Sequence, residues 1–324
     1  MTTQPKPKKR MQEFITTLIM VSIMLACAVP GFILVKTKAV KSESIPAFSK
    51  VLMYVCQPAL TFYSFNKADF SKSLGINLLI FFAVVTVVQL IFLGAFYLIF
   101  RRKMADVRYR IATIATVLSN CSFFGVPLLE AIFPESSTVT VYSMTYFLSM
   151  NIIGWTVVSA IITQDRKYVS IKKTILNPAT LSVAVALPFF ITGFKIDASH
   201  GEFCAQLNNI INVIGKMTTP ICMLVMGMRL ATVSLKPLFA DPLRYFSIAV
   251  NQIVLPLCVL GITMLLHLNK EIVYSMFIMS ACPVAAVVQN YAEILGEGQE
   301  NAANTVLLGT IASIVTLPIL ALIL

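Results

Sequence analysis

The stretch Ser119-Asn120-Cys121-Ser122-Phe123-Phe124-Gly125-Val126-Pro127 falls inside a run of 19 uncharged residues between Arg110 and Glu130. That run is about as long as a helix needs to be to cross a bilayer core. A continuous lipid-facing helix would not be written this way. Pro127 lacks an N–H and crowds the preceding turn, and Gly125 weakens the helix. Asn120 and Ser122 place polar groups beside the disturbed backbone. Two structures fit these residues, an ordinary proline-kinked helix and a helix interrupted at membrane depth. The second is tolerated where protein or a water-filled cavity covers the freed backbone.

Composition settles the class. Of 324 residues, 58% are hydrophobic and 12% charged, and the mean hydropathy is +0.85. This is an all-α polytopic membrane protein rather than a soluble globular one. The net charge of +11 comes from Lys and Arg clusters between apolar runs, which reads as membrane topology and not as nucleic-acid binding. The seven cysteines form no CxxC spacing, and His200 and His267 have no ligand-spaced partner. No metal site and no cofactor are expected.

Ten candidate spans follow in order, near 12–35, 46–66, 74–100, 109–132, 138–162, 178–194, 206–230, 243–267, 271–295 and 301–323. The run after Lys6 to Arg10 is too long for a signal-peptide core and counts as the first span. Sixteen of the 25 Lys and Arg fall on one side, including Lys50, Arg101, Arg166, Lys172 and Arg229, and eight on the other; Lys216 lies inside a span. The richer side is expected to be cytoplasmic, which puts both termini outside the cytoplasm of a cell-membrane protein. The basic N-terminal tail pulls the other way.

A repeat at an offset of 162 residues joins Gly31-Phe32 to Gly193-Phe194, Pro58 to Pro220 and Cys121 to Pro283. Each half holds five spans, so the second half enters from the opposite face and the repeats are inverted. Span nine should then be disturbed where span four is. There the chain has Pro283, and further on Gln289 and Asn290, within 21 uncharged residues between Glu271 and Glu293. Paired interrupted spans point to a binding site near the midplane. Half-helix N-termini aimed at the crossing favour an anion. The carboxamides of Asn120, Gln289 and Asn290 and the Ser122 hydroxyl would direct it, or would only satisfy freed backbone.

The segment from Asn120 to Leu129 resembles the fourth-helix motif of the auxin efflux carrier family, whose short prokaryotic members include malonate and other carboxylate transporters. Val55-Cys56-Gln57-Pro58-Ala59-Leu60, Asn177-Pro178, Thr219-Pro220 to Gly227, Pro283 to Gly296 and Thr316-Leu317-Pro318 match in order over about 290 residues. The resemblance implies ten transmembrane helices in a sodium/proton antiporter-like fold, with helices 4 and 9 broken and crossing. It implies an N-terminal tail (1–11), a scaffold (12–66 and 178–232) that forms a homodimer, a mobile transport domain (67–163 and 233–324), and a cytoplasmic linker (164–177). Asn120, Pro127 and Pro283 carry over as crossover residues, and the movement would be elevator-like. Two departures limit it. The long loop of plant members shrinks here to roughly 15 residues after Ile162, and Leu295 stands where an aromatic is expected.

The candidate site is therefore Asn120, Ser122, Gly125, Pro127, Pro283, Gln289 and Asn290. Lys216 is a candidate charge partner or a snorkelling scaffold residue. Glu130 and Glu293 are candidates for proton coupling or for plain helix-end solvation; sodium coupling is the other option. The function expected is carriage of a small organic anion. A membrane sensor on the same fold, or a carrier of another solute, is the alternative. No nucleophile–base pair, carboxylate dyad or metal cluster within the spans suggests an enzyme.

Overall fold

The computed structural model describes residues 7–165, 167, 171–233 and 235–323. Lys6 and Arg166, used above for orientation, lie outside the described residues, as do most of the N-terminal tail and residues 168–170 of the linker. Among the described residues the chain is all helix, with one isolated antiparallel bridge, Ser119 to Val284. We number the principal helices α1 (Met11–Lys36), α2 (45–67), α3 (Lys72–Phe100), α4 (Val107–Ala115), α5 (Cys121–Ile132), α6 (Val139–Thr163), α7 (Pro178–Thr192), α8 (Glu202–Thr232), α9 (Pro242–Leu265), α10 (Lys270–Ala281), α11 (Val287–Leu295) and α12 (Gln299–Ala321). Six of them, α1, α3, α6, α8, α9 and α12, are long and apolar enough to cross a membrane, while α5 and α7 are shorter apolar helices.

Local signals explain the boundaries. Ser71 caps α3 by accepting from the Leu74 N–H at 3.0 Å, and the helix runs 29 residues to the basic Arg101-Arg102-Lys103. Asp106 caps α4, accepting from the Arg108 N–H at 2.9 Å. Arg108 also donates its guanidinium to the Asp106 carboxylate, which holds that carboxyl below its ordinary range. Asn177 caps α7 ahead of Pro178, and Gly193 ends it at φ +69, a conformation that glycine adopts at little cost.

Packing is uneven. The most apolar 18-residue window of α12 is 67% buried, whereas that of α1 is 22% buried. The centre of the molecule is thus α5, α6, α10 and α12, with α1 and α3 presenting broad apolar faces outward, as a lipid solvent allows. The C-terminal part of α1 lies against α8 at very close range. A Cβ built on Gly31 would stand 2.0 Å from the Leu224 carbonyl oxygen, and one on Gly227 would stand 1.8 Å from that of Ala28. Small residues let such helices approach backbone to backbone. On the other side α7 packs on α2 through Phe62–Phe189 and Phe65–Phe190 edge contacts.

The repeat anchors do not all play matching roles. Pro58 and Pro220 each sit in the first turn of a helical stretch resuming after an irregular turn, Leu52–Cys56 for one and Met217 for the other. Gly31 is a mid-helix contact, whereas Gly193 is a helix terminator.

Candidate functional site

The helix that begins at Val107 stops at Ala115, and regular structure resumes only at Cys121. The one that begins at Lys270 stops at Ala281 and resumes at Val287. Unwound backbone in an apolar interior needs partners. The two segments supply them to each other. The Asn120 N–H donates to the Pro283 carbonyl at 2.7 Å, and the Ala285 N–H donates to the Leu118 carbonyl at 2.8 Å. Behind them the Ser119 hydroxyl donates to the Ser280 carbonyl at 3.1 Å and accepts from the Asn251 carboxamide at 3.2 Å. The pair is thereby fixed from the α9 side.

In front of the pairing lies a cavity of about 950 Å³. Asn120, Ser122, Gln289 and Asn290 line it, the first two buried and the last two half-buried. Gln57 of α2 closes this end: its carboxamide oxygen accepts from the Ser122 hydroxyl at 2.8 Å, and its nitrogen reaches Thr61 Oγ1 at 3.4 Å. Trp155, Phe147 and Met150 form an apolar wall, with Tyr291 meeting Trp155 edge to face at 6.0 Å. Lys50 and Lys172, both exposed, also line the cavity.

The other anticipated residues lie elsewhere. Gly125 packs α5 against α10; a Cβ there would meet Met279 Cε at 2.3 Å. Pro127 is not in the interruption but seven residues past Asn120, in the first turn of the helical stretch Val126–Ile132, behind a wide turn at Cys121–Gly125. Its missing N–H removes the donor that an α-helix would aim at the Phe123 carbonyl, and the Thr219 hydroxyl of α8 donates to that oxygen at 2.9 Å. Pro283 is in the interruption and contributes its carbonyl to the pairing rather than a surface to the cavity. Lys216 is exposed and outside the cavity lining. Glu130 stands 4.0 Å from Lys67, also away from the lining.

The buried positive charge of the cavity lining is Arg229. Its guanidinium, with the side chain 10% exposed, donates to Glu293 Oε1 at 3.1 Å and more distantly to Ser49 Oγ at 3.4 Å. Sequence reasoning placed Arg229 among the topology-setting charges at a helix end, and took Gln57 only as part of a motif.

Among the described residues no group of three or more His, Cys, Asp or Glu is placed to hold a metal ion. No curated protein sequence matches the chain. A family model described as "Membrane transport protein" matches residues 15–321, nearly the whole length. The motifs around Asn120 and this match agree, and the chain belongs to the membrane transport protein family, that of the auxin efflux carriers.

Proposed function

We propose that the protein is a secondary active transporter that moves a small organic anion, a carboxylate, across the cytoplasmic membrane by elevator-type alternating access. The observation that carries the anion preference is the charge of the cavity. Its lining holds Lys50, Lys172 and Arg229 against one carboxylate, Glu293. A concave site with an excess of cations and low-dielectric walls concentrates anions. The carboxamides of Asn120, Gln289 and Asn290 orient the carboxylate, and the Trp155 wall takes the apolar remainder of the molecule.

In this mechanism α4/α5 and α10/α11 are the fourth and ninth of ten spans in two inverted repeats, and their unwound segments form the crossover. The scaffold is α1, α2, α7 and α8, through which two copies associate. Close packing of α1 on α8 and of α2 on α7 supports that division, since these are the pairs that an inverted repeat exchanges. The remaining helices carry the substrate past the scaffold. On this reading Lys50 and Lys172 lie on the basic, cytoplasmic side and the cavity opens inward, with Gln57 and the Thr219–Phe123 contact at its far end.

Charge movement on supported proteoliposome membranes tests this, with mono- and dicarboxylates applied under proton and sodium gradients and labelled uptake run in parallel. A saturable carboxylate signal is expected, and the gradient that drives it identifies the coupling ion. Absence of both current and uptake across the panel overturns the carboxylate assignment.

A further inference from the structure

Three buried arginines can be compared. Arg110 donates to the Ile162 carbonyl at 2.8 Å as well as to Glu297 at 3.1 Å. Arg244 donates to the carbonyls of Pro237 and Leu238 and, at 2.9 Å, to Asn301 Oδ1. Both are tied to main-chain oxygens that cannot leave. Among the described residues Arg229 has no such tie. Its near partner is the Glu293 carboxylate, and its other contact is the long one to Ser49. Arg229 also faces the cavity, which Arg110 and Arg244 do not.

The two ends of this ion pair are unequally buried. The Arg229 side chain is 10% exposed and that of Glu293 is 47% exposed. A buried guanidinium cannot be left unpaired without a large desolvation cost, whereas a half-exposed carboxylate regains water when released. The pair therefore opens cheaply only if another anion takes the place of Glu293. We infer that Arg229 is the carboxylate-binding cation of the cavity, and that Glu293 is a tethered carboxylate that occupies it until substrate displaces it. Glu293 is carried by α11 and Arg229 by α8, so the exchange also changes the connection between two helices that elevator motion would separate.

The inference rests on the anion-carrier proposal and sharpens it to one contact. A tethered competitor lowers apparent affinity by the fraction of time it holds the site. With Glu293 in place nine-tenths of the time, removing it would tighten binding about tenfold. Glu293→Gln keeps the shape and removes the competing charge. The full-length protein is titrated in nanodiscs with malonate, succinate, butyrate and octanoate, followed by calorimetry and by the fluorescence of Trp155, the single tryptophan, which lies in the cavity wall.

Glu293→Gln should bind one of these carboxylates about tenfold more tightly than the unaltered protein, and Arg229→Gln at least tenfold more weakly. The double variant should behave as Arg229→Gln does. Should Arg229→Gln fail to fold, the Glu293→Gln arm decides by itself. Binding that Glu293→Gln leaves unchanged or weakens overturns the inference and leaves the anion carrier standing. Binding absent in every protein, Glu293→Gln included, overturns both.

Discussion

The two interruptions do the same thing by different means. In the first, residues 116–120 contain neither glycine nor proline, and the carboxamide of Asn120 sits on the unwound backbone itself. In the second, Pro283 lies within the unwound segment, and the carboxamides of Gln289 and Asn290 come later, on the first turn of α11. The first thus carries its polar group, buried, on a main chain held by the Asn120 N–H to Pro283 bond. The second presents its groups from a helix, half-buried, with more freedom. A rigid, buried polar group loses less entropy on binding and contributes more. Asn120 should therefore dominate.

The largest effect that tests this difference is on transport. Asn120→Ala should lower carboxylate transport by the worth of a hydrogen bond to a charged group, about 1.5–3 kcal/mol or roughly ten- to 150-fold. Gln289→Ala should cost less than fivefold. Uptake by equal amounts of folded, reconstituted protein measures both. Equal losses would erase the distinction between the interruptions, and an unaffected Asn120→Ala would remove the crossover from the substrate path.

A smaller effect concerns how the first interruption is packed. Gly125 lets α5 approach α10 so closely that a methyl group would meet the end of the Met279 side chain at 2.3 Å and Cys282 Sγ at 3.1 Å. Methionine is flexible and can move, so the cost of Gly125→Ala should be modest, about 1–2 kcal/mol of stability. Adding Met279→Ala should restore part of it if the clash is the cause. The detergent-solubilised melting midpoint reads both variants. No recovery in the double variant would show that Cys282 or the backbone, and not Met279, sets the limit.

Much of this architecture was legible in the chain, and what escaped has definable causes. Helices cover the uncharged runs because only a helix satisfies backbone groups within an apolar segment. The polar residues between Ser119 and Ser122 marked the neighbourhood of the first interruption. Its position was harder to read, because Gly125 and Pro127 are the residues that disfavour a helix, whereas the chain unwinds at Thr116–Asn120, where the partner segment offers its hydrogen bonds. That partner is more than 160 residues away, and no local signal announces it. Lys216 stood out as the charge within a span, yet it is exposed. Arg229 is a charge in the cavity lining that packing buries, through α11 and the Ser49 region of α2. Burial by distant elements has no periodicity to read.

The smallest expected effect separates the proline from the interruption. Pro127 frees the Phe123 carbonyl, and Thr219 Oγ1 donates to it at 2.9 Å across the α5–α8 contact. Thr219→Val removes the donor while keeping the shape, and should cost about 1 kcal/mol. Pro127→Ala restores a main-chain N–H at the position from which a helix could reach that carbonyl, so it offers a substitute donor rather than a vacancy. It should cost less than Thr219→Val, and adding it to Thr219→Val should recover part of that loss. Non-additivity of this kind in melting midpoints would tie the two residues to one carbonyl. Simple addition would mean that Pro127 acts through the geometry of the wide turn at Cys121–Gly125, in which case it bears on the interruption after all and the contrast with Pro283 narrows.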